Sequence, residues 1–129
     1  MYFTTFGQSL AMPLDVVRHE NDVTLRIDVP GVDPEQIEVT VDRGILTISG
    51  KREEERTEND KFIVRQRTMG AFTRRMRLPE TLNAEAVEAS YDNGVLKVRI
   101  PVLEQAKPRK IEVRKVEVRQ ADDHTELAA

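Results

Sequence analysis

Residues 93–101 read Asn-Gly-Val-Leu-Lys-Val-Arg-Ile-Pro, and this stretch decides the fold of the 129-residue chain. Asn-Gly is a strong hairpin signal, because glycine adopts a positive φ without steric cost. After it, the apolar residues at 96, 98 and 100 fall on one face of an extended strand, and the basic residues at 97 and 99 fall on the other. Pro101 has no N–H to donate and ends the strand. The stretch therefore predicts a half-buried strand that leaves a tight turn.

The same pattern occurs once before in the chain. Residues 37–48 match residues 87–98, with Glu, Asp, Gly and Leu at the same places. Asp33-Pro34-Glu35 and Asn83-Ala84-Glu85 precede the two copies, and each reads as an N-cap followed by one helical turn. Two hairpins of one design predict the two sheets of a β-sandwich. The alternative is that two unrelated hairpins merely look alike.

The region before the first hairpin also has strand periodicity. Residues 23–29 alternate strictly between apolar and polar, which predicts a strand with one buried face. Residues 14–20 read as a further strand, and Asn21-Asp22 reads as the turn between the two.

The composition limits the classes of function. Charged residues make up 33% of the chain, yet the net charge is only −3, which gives no global field for nucleic acid or an anionic membrane. The absence of cysteine excludes a disulfide, thiol catalysis and a Cys-ligated metal. We find no phosphate-binding loop, hydrolase or zinc-protease motif, so we predict no enzyme and no cofactor or metal. Without a signal peptide or a long apolar run, the cytoplasm is the default location.

Four runs of sequence resemble the α-crystallin domain of the small heat-shock proteins, in order and with the family's spacing. They are Pro-Gly-Val-Asp-Pro-Glu-Gln-Ile-Glu-Val at 30–39, Ile-Leu-Thr-Ile-Ser-Gly-Lys-Arg-Glu-Glu-Glu at 45–55, Gly-Ala-Phe-Thr-Arg-Arg-Met-Arg-Leu-Pro at 70–79, and the opening stretch at 93–101. The resemblance implies an all-β fold, an immunoglobulin-like antiparallel β-sandwich. It also implies three parts: a short N-terminal arm (1–12), the α-crystallin domain (13–103) and a C-terminal extension (104–129).

The N-terminal arm is short and contains aromatic and aliphatic side chains. We select four of them as candidates for contact with client proteins: Tyr2, Phe3, Phe6 and Leu10. Such side chains adapt to varied apolar partners, and the family resemblance implies client contact at this arm. The alternative is a frayed terminus.

A charged loop follows the first hairpin. Residues 51–61 are almost wholly charged, and the apolar run Phe62-Ile63-Val64 comes directly after them. The resemblance is to the bacterial and plant branch of the family, in which this segment passes to the partner subunit and builds a homodimer. The alternative is a small strand folded back on its own sheet.

An arginine-rich stretch covers residues 65–79. Its periodicity places Arg74 on the same side as Phe72, Met76 and Leu78, which is typical of a strand and disfavours a nucleic-acid site. The resemblance implies that Arg74 is partly buried and ion-paired at or near the dimer interface.

From Val102 to Lys110 the chain reads as an extended linker that leads to Ile111-Glu112-Val113. This run matches the family's I-x-[IV] tail motif, so we predict that Ile111 and Val113 anchor the tail to an open sheet edge of another subunit by β-augmentation. The resemblance implies a receptor cleft between the strands 37–41 and 87–91. The groove residues that we select are Ile37, Val39, Val41, Val87 and Ala89.

A second copy of the anchor pattern lies at residues 115–119, with Val116-Glu117-Val118 at its centre. It could be a second anchor or part of a longer added strand. The alternative is that residues 111–118 form a last strand of the domain.

The resemblance therefore implies a chaperone that binds partly unfolded proteins without ATP and works as dimers assembled into larger homo-oligomers. A rival hypothesis is an adaptor that resembles the CS domain of co-chaperones and binds a folded partner. We predict no nucleic-acid partner and no membrane span.

Overall fold

Two four-stranded antiparallel sheets form the molecule, as seen in a computed structural model that describes residues 4–6 and 12–117. The strands are β1 (Thr4–Phe6), β2 (Leu14–Arg18), β3 (Asp22–Asp28), β4 (Glu38–Asp42), β5 (Ile45–Arg52), β6 (Gly70–Arg77), β7 (Glu88–Asp92) and β8 (Val95–Pro101). The first sheet has the order β1-β6-β5-β4, and the second has the order β2-β3-β8-β7. The described part contains no α-helix, only three single-turn 3-10 helices: Pro34–Gln36, Ala84–Ala86 and Glu104–Ala106. The predicted all-β sandwich is confirmed.

The two repeated hairpins lie in different sheets, as predicted. One is β4–β5 and the other is β7–β8, and each is preceded by a 3-10 turn whose capping side chain accepts a backbone hydrogen bond. The φ angles of the turn residues are 51° at Asn93 and 80° at Gly94. A Cβ on Gly94 would lie 3.4 Å from the Cα of Pro30, and the carbonyl of Gly94 accepts a hydrogen bond from the Val29 N–H at 2.7 Å. The turn is thereby packed against the chain that follows β3.

The core lies between the two sheets and is made by the alternate residues of the strands. The side chains of β3 and β8 supply much of it, and every residue predicted on the buried face of residues 23–29 is fully buried. The core residues are Met12, Val23, Leu25, Ile27, Val29, Val32, Leu46, Ile48, Phe72, Met76, Leu78, Leu82, Leu96, Val98, Ile100 and Val102. This burial is the main stabilising term of the fold.

Three details differ from the sequence prediction. The strand predicted at 14–20 ends at Arg18, and an unpredicted strand, β1, pairs with β6. The predicted linker does not begin at Val102, because Val102 is buried and bridges to Leu82. Ala106, in the 3-10 turn that follows, still packs against the core. The packed part of the chain therefore extends beyond the predicted boundary at 103.

Candidate functional site

Among the described strands, four are edge strands: β1 and β4 in the first sheet, and β2 and β7 in the second. The candidate site lies on β4 and β7, the two edge strands that follow the matching 3-10 turns. Their inward-facing side chains pack against the core but remain only partly buried. These side chains are Ile37, Val39, Val41, Val87 and Tyr91. Because each strand has a hydrogen-bonded neighbour on one side only, its outer backbone groups are free to pair with an added strand. We call this open side the β4/β7 groove.

Four of the five residues selected for the groove are partly buried against the core, and the fifth is not; their role as a receptor stays a prediction. Ala89 shares the alternating face of Val87 and Tyr91 along β7, yet it is exposed. Tyr91 is not among the predicted groove residues, although alternation from Val87 places it on the same face.

The rim of the groove is acidic. β4 reads Glu-Val-Thr-Val-Asp and β7 reads Glu-Ala-Ser-Tyr-Asp, so each strand has a carboxylate at either end and no basic residue. All four carboxylates belong to exposed residues. Two of these carboxylates have long ion pairs: Arg99 lies 3.8 Å from Glu88, and Arg43 lies 4.0 Å from Asp42. A docking peptide with basic ends would be favoured here.

The predicted tail anchor lies free of its own domain. Ile111 is 75% exposed and Val113 is 92% exposed, and residues 111–117 form no strand. The alternative of a last strand within the domain is therefore wrong for these residues. Val116 is also exposed, whereas Val118 lies outside the described residues.

A long loop, residues 53–69, connects β5 to β6 and has its own local structure. We call it the arm, and it is distinct from the N-terminal arm at residues 1–12. Arg65 and Glu54 form an ion pair of 2.8 Å across it, and the ring of Phe62 lies between Arg56 and Arg65. The Asp60 carboxylate accepts hydrogen bonds from the backbone amide and the hydroxyl of Thr57, and these bonds fix the turn. They hold the pKa of Asp60 below its ordinary value of 3.8, and the bond from the amide has the larger effect.

The apolar run in the arm is exposed. The exposed fractions are 47% for Phe62, 97% for Ile63 and 70% for Val64, and none of these residues pairs with a strand. The alternative of a small strand on the chain's own sheet is therefore wrong. A cavity of about 380 Å³ lies beside the arm and is lined by Phe62, Val64 and Met69 among charged residues.

Arg52 and Arg74 meet at Met12, where the arm joins the sandwich. The guanidinium of Arg74 donates to the Met12 carbonyl at 3.2 Å, and that of Arg52 donates to the Thr68 carbonyl at 3.0 Å. The Nε atoms of both arginines are buried without a hydrogen-bond partner in the described part of the chain. The ion pair predicted for Arg74 is not formed there, because the group facing it is a carbonyl.

β2 is the free edge strand of the second sheet on the side away from β7. Its Val16 is 38% exposed, which is unusual for a valine in a central position of a strand.

The candidates for client contact fall mostly outside the described residues. Tyr2, Phe3 and Leu10 lie outside them, and Phe6 is described only as the last backbone position of β1. Sequence reasoning missed β1, because three residues are too few for a reliable alternation.

The described residues form neither a metal site nor a membrane-spanning helix. Among residues 4–6 and 12–117, no group of three His, Asp or Glu side chains could hold a metal ion. In the same ranges no helix is long and apolar enough to cross a bilayer.

Known proteins are similar to this chain over most of its length. Residues 15–119 match the model of the Hsp20/alpha crystallin family. An 18 kDa heat shock protein of Streptomyces albus G is 40% identical over 110 residues, which are 84% of this chain and 77% of that protein. A 17.7 kDa class II heat shock protein of Arabidopsis thaliana is 36% identical over 111 residues, 84% of this chain and 71% of the relative.

Solved structures agree with the sequence comparison. A small heat-shock protein from Xylella fastidiosa superposes with a TM-score of 0.69 and 37% identity, covering 81% of this chain and 97% of that one. The hspA protein of Xanthomonas axonopodis gives a TM-score of 0.64 and 42% identity, covering 70% and 92%. The chain therefore belongs to the Hsp20/α-crystallin family, the small heat-shock proteins.

Proposed function

We propose that this protein is an ATP-independent holdase chaperone that binds partly unfolded proteins and prevents their aggregation. One observation carries the proposal: a rigid sandwich presents a half-buried apolar groove, while its arm and tail hold apolar side chains in solvent. Exposed apolar groups of this kind are typical of interaction sites. The family is one of chaperones, and the lack of cysteine is compatible with work in the cytoplasm.

The arm builds a dimer by exchange with a partner subunit. Four of its polar residues have local partners, in the Thr57–Asp60 turn and the Glu54–Arg65 pair. Phe62, Ile63 and Val64 are left in solvent, where their apolar surface is unfavourable. The open edge of β2 and its exposed Val16 offer a partner's arm both backbone hydrogen bonds and apolar contact.

The tail joins dimers into larger homo-oligomers. The exposed Ile111 and Val113 are alternate residues of an extended segment, and the groove offers alternate apolar positions on two open edges. Burying one such side chain contributes about 1.5–3 kcal/mol before the cost of ordering the tail. A single tail therefore exchanges, whereas many tails on one particle bind firmly through effective concentration.

Release of these weak contacts is the working step. Heat loosens the tail and arm contacts and uncovers apolar surface, and the exposed segments of a client then compete for this surface. The acidic residues of the arm, such as Glu53 and Glu55, are exposed and keep the complexes soluble.

Light scattering of a heat-aggregating model protein tests the proposal. An equimolar amount of this chain should suppress the scattering in the absence of ATP, and added ATP should change nothing. Scattering as high as with an inert protein of equal mass would contradict the proposal. A monomer on a sizing column together with that result would favour the CS-like adaptor instead.

A further inference from the structure

The tail repeats its anchor sequence without a gap. Residues 110–114 read Lys-Ile-Glu-Val-Arg and residues 115–119 read Lys-Val-Glu-Val-Arg. The described part of both copies is exposed, and residues 118 and 119 enter by sequence alone. We infer that the two copies are alternative anchors for one site on β7 of another subunit, and that the copy in use sets the spacing between neighbouring dimers. This inference rests on the tail anchoring proposed above.

The spacing of the copies prevents their simultaneous use. Successive side chains of a strand point to opposite faces, so residues an odd number apart face opposite ways. Ile111 and Val116 are five residues apart. When Ile111 and Val113 face the groove, Val116 therefore faces away from it. Sliding the tail by five residues brings the second copy into the same position and turns its apolar pair inward.

The charges show that both copies suit the same receptor. Each copy is a five-residue segment with a basic residue at either end, and β7 is a five-residue strand with an acidic residue at either end. Pairing residue for residue places both basic ends opposite carboxylates, in either strand direction, and the two apolar residues opposite Ala89 and Tyr91. Opposite charges directly across a strand pair are stabilising.

The two copies differ in reach. The packed part of the chain ends at Ala106. Pro108 has no backbone N–H, so the segment after Ala106 cannot donate a strand hydrogen bond at residue 108. At about 3.3 Å per residue, Ile111 reaches about 17 Å from Ala106, and Val116 reaches about 33 Å. The first copy therefore holds a neighbouring dimer close, and the second allows a wider gap. One chain can then build particles of different size without a change in its folded domain.

Disulfide trapping tests the inference in the full-length chain, which has no cysteine of its own. Ser90 lies at the centre of β7 and is exposed, and the central residue of each copy, Glu112 or Glu117, would lie directly opposite it. Directly opposed residues have Cα separations that a disulfide can bridge. Two double variants are made, Ser90→Cys with Glu112→Cys and Ser90→Cys with Glu117→Cys. A third, Ser90→Cys with Gln105→Cys, controls for random collision, because Gln105 is exposed in a turn next to the packed Ala106.

Both anchor variants should form disulfides between subunits, and the control should not. Adding Ile111→Ser and Val113→Ser to the Glu117→Cys variant should raise its yield about twofold, because removing one of two similarly populated states transfers its share to the other. If only Glu112→Cys forms the disulfide, or if the Glu117→Cys yield does not rise, this inference is overturned and the proposed anchoring stands. If Glu112→Cys fails as well, the proposed anchoring falls with it.

Discussion

At the scale of single residues, Gly50 controls how closely β5 and β6 pack. A Cβ at this position would lie 2.6 Å from Cε1 of the buried Phe72, a distance that real Cβ atoms do not reach. We therefore expect Gly50→Ala to lower the free energy of unfolding by about 1–3 kcal/mol, the usual cost of overpacking. Denaturant unfolding measures this change.

A compensating variant serves as the control for Gly50. Phe72→Leu shortens the side chain that the new methyl group meets, so the double variant should lose less stability than the sum of the single losses. Additive losses would show that the contact between residues 50 and 72 is not the cause.

Arg74 connects β6 to the segment before β2 through the Met12 carbonyl. Hydrogen bonds from a charged group contribute about 1.5–3 kcal/mol, so Arg74→Gly should lower stability by that order and promote aggregation. Thermal melting and the soluble fraction after heating measure the effect, and Arg74→Lys, which keeps the charge, should lose less. Unchanged melting and solubility in Arg74→Gly would contradict the role.

Single residues also show where sequence reasoning stops. The alternation of residues 23–29 and the Asn93-Gly94 turn were enough to predict burial and a hairpin, because both depend on neighbours in the chain. The acceptor for Arg74 could not be predicted, because Met12 lies 62 positions away in sequence and contributes a backbone atom. The positive φ of Arg43, 51°, could not be predicted, because arginine, unlike asparagine, is not a typical turn residue.

At the scale of elements, the proposed dimer depends most on the arm. Replacing Phe62, Ile63 and Val64 with serine should give monomers that keep their β-sheet content, because none of these residues belongs to the core or to a strand of its own domain. Light scattering gives the mass, and circular dichroism checks the fold. A matched control replaces Glu58, Asn59 and Lys61, which are equally exposed, and should stay dimeric. Dimers in the apolar variant would exclude arm exchange.

The elements of the sandwich were more predictable than the arm. A strand that packs against its own core leaves a period of two in the sequence, as in β3 and β8, and the structure confirms both. The run at residues 62–64 has strand composition but no partner within the chain, so its state could not be decided from periodicity. The strands β4 and β7 were predictable from their alternation, whereas the exposure of Ala89, on the same face as Val87 and Tyr91, was not.

At the scale of the whole molecule, we propose that many tails bind grooves on other subunits, each of them weakly. The charges support this arrangement, because the groove strands end in carboxylates and the tail segments end in Lys and Arg. A particle built this way is held together by many weak tail contacts, and heat weakens each of them.

The mass of a tail variant in solution tests this claim most directly. Serine is placed at all four apolar positions of the two copies, Ile111, Val113, Val116 and Val118, and the mass is measured by light scattering at several concentrations. Replacing Glu112 and Glu117 with serine, which keeps the apolar pairs, is the control. We expect the control to keep the oligomer mass and the fourfold variant to fall to the mass of a dimer. A fourfold variant with the particle mass of the unaltered chain would contradict the account.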